Sequence, residues 1–334
     1  MWQFIGLIFV MNVYAATSLD WERTDYIWNF GLRNYCDVGV AGTPKDYFKH
    51  VEYPFNLSQY KNIKKNDLIW LRQRFLKDFY EQVLPQLDCP VILVICDGDE
   101  SFPKDCHLNE QEVEDLLENP NILHLFTQNY DYHGPSTKAS PIPIGLDFHS
   151  IAYKGGYWGE MGSPQAQEAL LKRLMKTSPP TTQRLKRAFV DFHHSESMRA
   201  CFQRHKEFGE DRTSIFKRVK ETGLVDDFKK MARSKLWKIK GHYAFSISPW
   251  GNGLDCHRTW EDLALGCIVI VKTCSLDSLY EGLPVVIVKD WDEITEENLS
   301  IWLEKFGDVG ENKAFQERLT NQYWMNKILS KRVN

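Results

Sequence analysis

The stretch FSISPWGNGLDCHRTWEDLALGCIVIV, Phe245 to Val271, decides the reading of the whole chain. Phe245–Ser248 is a short apolar run that reads as a strand, and Pro249-Trp250-Gly251-Asn252-Gly253 reads as a turn. Beyond the turn, Trp260, Leu263, Ala264 and Cys267 recur at i, i+3, i+4 and i+7, which predicts a helix with one apolar stripe. Arg258, Glu261 and Asp262 fall on the opposite, polar side. Cys267–Val271 then reads as a second strand. A strand, a glycine turn, a helix and a strand make one unit of a parallel α/β sheet.

Such a unit suits an anion. Glycines let backbone N–H groups come close to it, and the helix N-terminus adds its dipole. Ser248 and the Gly251-Asn252-Gly253 turn lie at the carboxyl end of the strand, where open α/β sheets bind ligands. Arg258, in the first turns of the helix, offers a fork of donors to a diphosphate. Glu261 is one turn further on, placed to accept bonds from two vicinal hydroxyls, as a ribose presents. Together they match a nucleotide better than a lone phosphate. A dinucleotide fingerprint is disfavoured: its third glycine falls on Cys256, and Lys272 stands where an acidic ribose reader belongs. No GxxxxGK[ST] occurs, so a P-loop is excluded. A bare strand–turn–helix corner with solvated charge is the alternative.

The same alternation runs through the rest of the chain. Asp67–Leu71, Pro90–Ile95 and Ile122–Phe126 read as strands. Helices are expected from Phe75 to Val83 and over Glu110–Glu118, the second capped by Asn109. Residues 150–185 break the pattern with Gly155-Gly156 and Ser178-Pro179-Pro180, around a polar-rich helix at Gln165–Met175. Beyond the break, Arg187–Phe192, His242–Ile247 and Pro284–Val288 read as strands. Helices are expected at Glu196–Lys206 and Thr213–Thr222, and two more over Glu293–Ser330. The expected organisation is residues 1–16 as a signal peptide, 17–180 as one α/β domain, 181–292 as a second, and 293–334 as a helical tail. Residues 1–16 are apolar and uncharged, with small side chains near Ala15, which points to the secretory pathway and limits any membrane association to that segment.

At 334 residues and 43% hydrophobic, the chain can bury two cores. A net charge of −4, without a basic block, argues against nucleic acid as a partner. No CxxC pair and no Cys/His cluster with zinc spacing occurs, so no metal ligand is assigned.

The run ISPWGNGLDCHRTWEDLALGCIVIVKT, followed by LYEGLPVVIVKDW, resembles the C-terminal signature of exostosin-like glycosyltransferases, glycosyltransferase family 47. That signature reads hydrophobic–Pro–x–Gly, then Arg, then WEAL-x-x-GC-x-P-V; Val269 stands at its proline. The segments PVILVICDGDESFP, NILHLFTQNYD and PIPIGLDFHS extend the resemblance over roughly residues 60–330. It implies a GT-B architecture, two Rossmann-like domains facing across a cleft: 17–180 on the acceptor side, 181–292 binding the nucleotide-sugar, and the helices of 293–334 packing back on the first. It also implies an enzyme moving a sugar from a nucleotide-sugar, usually a UDP-sugar, to a glycan or glycoprotein acceptor. A non-catalytic nucleotide-sugar or glycan-binding protein on the same scaffold is the alternative.

Sugar transfer with inversion needs a base for the acceptor hydroxyl. Asp97, Asp99 and Asp131 are the principal candidates, with Glu100, His133 and Asp147 beside them at strand ends. Asp97-Gly98-Asp99 also has the form of a D-x-D manganese site, the hallmark of the other large glycosyltransferase fold. The resemblance implies a GT-B site, in which Arg, Lys and helix dipoles usually replace the metal, so manganese is possible there but is not expected to be required. Arg199 is a further candidate phosphate ligand, while Lys235, Lys238 and Lys240 read as a solvated basic patch.

Overall fold

The computed structural model describes residues 23–28, 30–39, 54–153, 159, 162–194, 210–228 and 231–334. The segment 1–16, the expected helix at Glu196–Lys206 and Arg199 fall outside these residues.

Two separate parallel sheets organise the chain. The first contains β1 (Leu68–Leu71), β2 (Val91–Ile95), β3 (Ile122–Thr127) and β4 (Ala139–Pro141) in that spatial order. All three pairings are parallel, with Leu68 opposite Ile92 and Leu125 opposite Ala139. Crossovers through α1 (Leu76–Gln82) and α2 (Glu110–Glu118) make this possible. Asn109 caps α2 and closes a capping box with Glu112, which fixes where that helix starts. β1 and β2 are buried at every position, as strands covered on both faces must be.

After α3 (Phe148–Tyr153) and α4 (Pro164–Thr177), the second sheet forms from β5 (Leu185–Val190), β6 (Val225–Asp227), β7 (Tyr243–Ile247), β8 (Ile268–Lys272) and β9 (Val285–Val288). The strand order is β6-β5-β7-β8-β9, again all parallel. The chain therefore winds one way from β5 to β6 and the other way from β7 onward. The carboxyl ends of β5 and β7 flank that reversal, where a crevice opens in doubly wound sheets. The crossovers are α5 (Arg212–Glu221) with α6 (Arg233–Lys240), and α7 (His257–Ala264). Gly266 ends α7 at φ +77°, a left-handed cap that turns the chain straight into β8.

Each sheet has its own core on one face: Phe79, Leu93 and Leu116 in the first half, Ile215, Ile247 and Trp291 in the second. A third cluster lies between the halves and takes Ile92, Val94 and Phe126 from one side and Trp260, Leu263 and Val269 from the other.

The tail contains three helices, not the two expected: α8 (Glu296–Phe306), α9 (Lys313–Arg318) and α10 (Asn321–Leu329). Its halves divide. Leu299, Trp302 and Leu303 of α8 pack on the core of the second sheet, whereas Trp324, Met325 and Ile328 of α10 enter the shared cluster with Tyr26, Ile27 and Trp28. Asn321 Nδ2 donates to the carbonyls of Thr24 and Tyr26, at 2.8 and 2.9 Å. Among the described residues no helix is long and apolar enough to cross a membrane.

Candidate active site

The carboxyl ends of the two sheets meet at a cleft of about 250 Å³. Asp99 reaches it from the loop after β2, Asp191 from the end of β5, and Gly251, Asn252 and Gly253 from the turn after β7. Arg258 and Glu261 line it from α7, joined by Arg212 and Arg233 from the starts of α5 and α6.

Arg258 is held from behind. Its Nε is 2.7 Å from Asp191 Oδ1, and its guanidinium lies over the Phe192 ring. Nη1 is buried and makes no hydrogen bond among the described residues. A buried donor without a partner costs free energy, and a ligand oxygen removes that cost. Asp191 is itself held by Lys240, whose Nζ lies 2.7 Å from Asp191 and 2.6 Å from Asp262. Burial would raise the Asp191 carboxyl, but Lys240 and Arg258 overcome it and hold it below its ordinary value. Burial likewise opposes the charge on Lys240, and its two aspartates restore it and hold its ammonium above the ordinary range.

Two expectations are corrected here. Lys240 is no part of a solvated basic patch: it is 0% exposed and lies at the centre of this network. Asp262 leaves the polar face of α7 and turns inward, accepting from Lys240 and from the Ser246 hydroxyl. Burial, with Asp191 adding repulsion, pushes its carboxyl up to about 6 against the pull of Lys240.

Glu261 accepts from Trp237 Nε1 at 3.1 Å, and its other oxygen stands 3.7 Å from Arg233. It is buried at the cleft wall with one oxygen turned to a cation rather than to solvent. The N-cap of α7, Cys256, makes no side-chain capping bond. The amides of His257 and Arg258 are therefore left without a capping side chain, while Thr259 N–H donates to the Cys256 carbonyl at 3.0 Å.

The turn itself does something different from the sequence reading. Gly251 N–H already donates to the Gly253 carbonyl at 2.9 Å, so that amide is not offered to an anion. The glycines are required by close packing instead. A Cβ on Gly253 would lie 2.7 Å from the Asn129 side chain, and one on Gly251 2.8 Å from Arg212. Ser248 is not a cleft residue either. It is buried, and its hydroxyl accepts from Thr259 at 2.9 Å, which ties the strand end to α7.

Of the candidate bases, the structure brings only Asp99 to the cleft, where it accepts from Asn252 Nδ2 at 3.2 Å across the two halves. Asp97 is buried against Arg72 at 2.7 Å, in a left-handed backbone conformation of φ +73°. Asp131 stands beside His133 at 3.3 Å, away from the cleft lining. Asp97 and Asp99 thus point to different partners, and the D-x-D pair does not converge on a common cation.

Several site residues were not anticipated. Asp255 is buried and accepts from Ile144 N–H and Trp260 Nε1, each at 2.8 Å, and from Cys256 N–H at 2.9 Å. Burial still pushes its carboxyl up to about 6, against those hydrogen bonds. Asn129 accepts from Asp255 N–H at 2.9 Å, and Arg233 donates to Asp147 at 2.7 Å. These bonds stitch the first half to the second along the cleft floor. Asp191 carried one sequence signal, a carboxylate at a strand end; Arg233 and Asn129 carried none.

No family model matches the chain. No curated protein matches it either. Solved structures do. The UDP-forming α,α-trehalose-phosphate synthase of Burkholderia vietnamiensis is similar at a TM-score of 0.37 and 12% identity, over 80% of this chain and 70% of that one. The GtfA/B complex is similar at a TM-score of 0.39 and 11% identity, over 81% of this chain and 58% of that one. The E. coli trehalose-6-phosphate structure bound with UDP-2-fluoro glucose is similar at 0.35 and 12%, over 81% and 74%.

Proposed function

We propose that the chain is a GT-B-type glycosyltransferase, exostosin-like in its α7 motif, that moves a sugar from a UDP-sugar to a glycan or glycoprotein acceptor. The observation that carries this reading is the buried Nη1 of Arg258, without a hydrogen bond among the described residues, beside the N-terminus of α7. Leaving diphosphate gains negative charge as the sugar departs, and a fixed guanidinium with a helix dipole stabilises that charge without reorganising. Glu261 takes the ribose hydroxyls. Asp99, the one candidate base lining the cleft, takes the proton of the acceptor hydroxyl from the opposite wall. The donor is held by these side chains and not by a tightly bound cofactor, and manganese is not required. The apolar, uncharged segment 1–16 supports the secretory pathway as the compartment of this reaction.

Calorimetric titration with UDP tests the site. Arg258→Ala removes a charge-assisted bond and is expected to weaken UDP roughly 10- to 100-fold. Glu261→Ala is expected to weaken UDP less, with both variants melting within a few degrees of the parent. UDP affinity unchanged in both variants would sink the assignment. UDP binding with no donor hydrolysis or transfer would favour the non-catalytic binder.

A further inference from the structure

A second cluster of chemically capable side chains lies at the seam of the two halves, and sugar transfer as described makes no use of it. Asp147 and His149 straddle the N-terminus of α3, just after β4 leaves the first sheet. His257 is the first residue of α7 in the second half and also borders the cleft. One donor atom from each of the three lies within 4.8 Å of the other two. His149 Nδ1 is 2.8 Å from Asp147 Oδ1, and the two imidazole rings are 5.4 Å apart at 58°.

We propose that Asp147, His149 and His257 bind a divalent transition-metal ion of the zinc class, and that the bound ion clamps the two halves together. Two imidazoles and one carboxylate are borderline ligands. They select zinc or cobalt(II) over magnesium and calcium, which demand oxygen shells. Three protein ligands leave a further position open.

The outer partners support the assignment. His257 Nδ1 lies 2.7 Å from the Gly145 carbonyl, to which it donates; its Nε2 then carries the lone pair a metal needs. Asp147 is fixed on its other oxygen by Arg233 Nη2 at 2.7 Å, while Nη1 holds its carbonyl at 2.6 Å. Ser150 N–H donates to Oδ1 at 3.0 Å. A carboxylate fixed in this way cannot swing out of the site. Arg233 adds a repelling charge near the ion, which Glu261, 3.7 Å from that guanidinium, offsets. Metal–ligand distances of about 2.0–2.1 Å set tetrahedral edges near 3.3 Å, so the Asp147–His149 contact must open by about half an ångström. The ion replaces the proton between them.

The test uses the tag-free full chain, stripped with a chelator and titrated with cobalt(II) and with zinc(II), without nucleotide. One equivalent should bind saturably. Cobalt(II) should give a visible absorption band that zinc(II) abolishes, and zinc(II) should raise the melting temperature. His257→Gln and His149→Gln should each weaken zinc(II) at least tenfold and remove the melting shift. Absence of saturable binding overturns the proposal. So does zinc(II) binding weakened less than tenfold in either variant, since the metal then sits on other ligands. Should one variant fail to fold, the other decides. UDP titration of the same samples is independent, so failure here is distinguishable from failure of the glycosyltransferase reading.

Discussion

Two ion pairs of the same kind stand at strand ends on opposite sides of the cleft, and they behave differently. In the first half Arg72 meets Asp97 at 2.7 Å; in the second Arg258 meets Asp191 at 2.7 Å. Asp97 is 2% exposed at its side chain and Asp191 14%, and only the second pair lines the cleft. Burial dominates at Asp97 and raises its carboxyl above the ordinary value despite Arg72. At Asp191 a second cation, Lys240, reverses that balance. The Lys240 ammonium, 2.7 Å from Asp191, takes up part of the carboxylate's charge at the cleft wall. The carboxylate then orients the guanidinium, and one edge is left over for an incoming anion. At Asp97 burial prevails although Arg33 and His149 add to the pull of Arg72, and that pair lies away from the cleft lining.

The largest expected effect tests that second cation. Lys240→Met leaves Asp191 and Asp262 buried without their cation and should cost about 3–5 kcal/mol in denaturant unfolding. UDP affinity should fall with it, since Asp191, no longer shared with Lys240, then closes on Arg258 alone. A loss no greater than that of the Asp97 variant below would break the comparison.

Next is the pH dependence of the stitched floor. Asp255 titrates at about 6 in the folded chain, above the ordinary 3.8. The folded state therefore binds the extra proton between these values. That contribution is full below about pH 4 and lost as pH rises through 6, on the order of 3 kcal/mol in all. His124, lowered to about 4 chiefly by burial, works in the opposite sense over the same range. Asp255→Asn should remove only the falling component, so stability of the variant should rise more steeply with pH between 4 and 6 than that of the parent. An unchanged pH slope in urea unfolding would show that Asp255 is solvated.

The smallest effect belongs to the Arg72–Asp97 pair. Asp97→Asn keeps an acceptor for Arg72, and asparagine tolerates the left-handed backbone at φ +73°. It should cost about 1–2 kcal/mol and leave UDP affinity within about twofold. A tenfold loss of UDP would mean that both pairs serve the ligand.

Most strands and the helices with clear periodicity were legible in the sequence, because burial on both faces of a parallel sheet demands unbroken apolar runs such as Val91–Ile95. The α7 stripe was legible for the same reason: Trp260, Leu263, Ala264 and Cys267 are all buried. Short elements escaped. β4 and β6 have three residues each, too few for a pattern, and α6, with Arg233, Lys238 and Lys240, reads as charge rather than as a helix.

By itself the sequence determined that two α/β units exist, where the glycine turn falls, and that Arg258 and Glu261 share one helix. Those are local matters of spacing and propensity. Tertiary structure decided what each group does. Asp255 meets Ile144 across 111 residues, and a helix wheel cannot tell that Asp262 faces a buried lysine while Arg258 faces a cleft. The polar side of α7 is one surface in sequence and two environments in space. The field around each charge, and hence its chemistry, comes from chain segments that spacing along the sequence does not bring together.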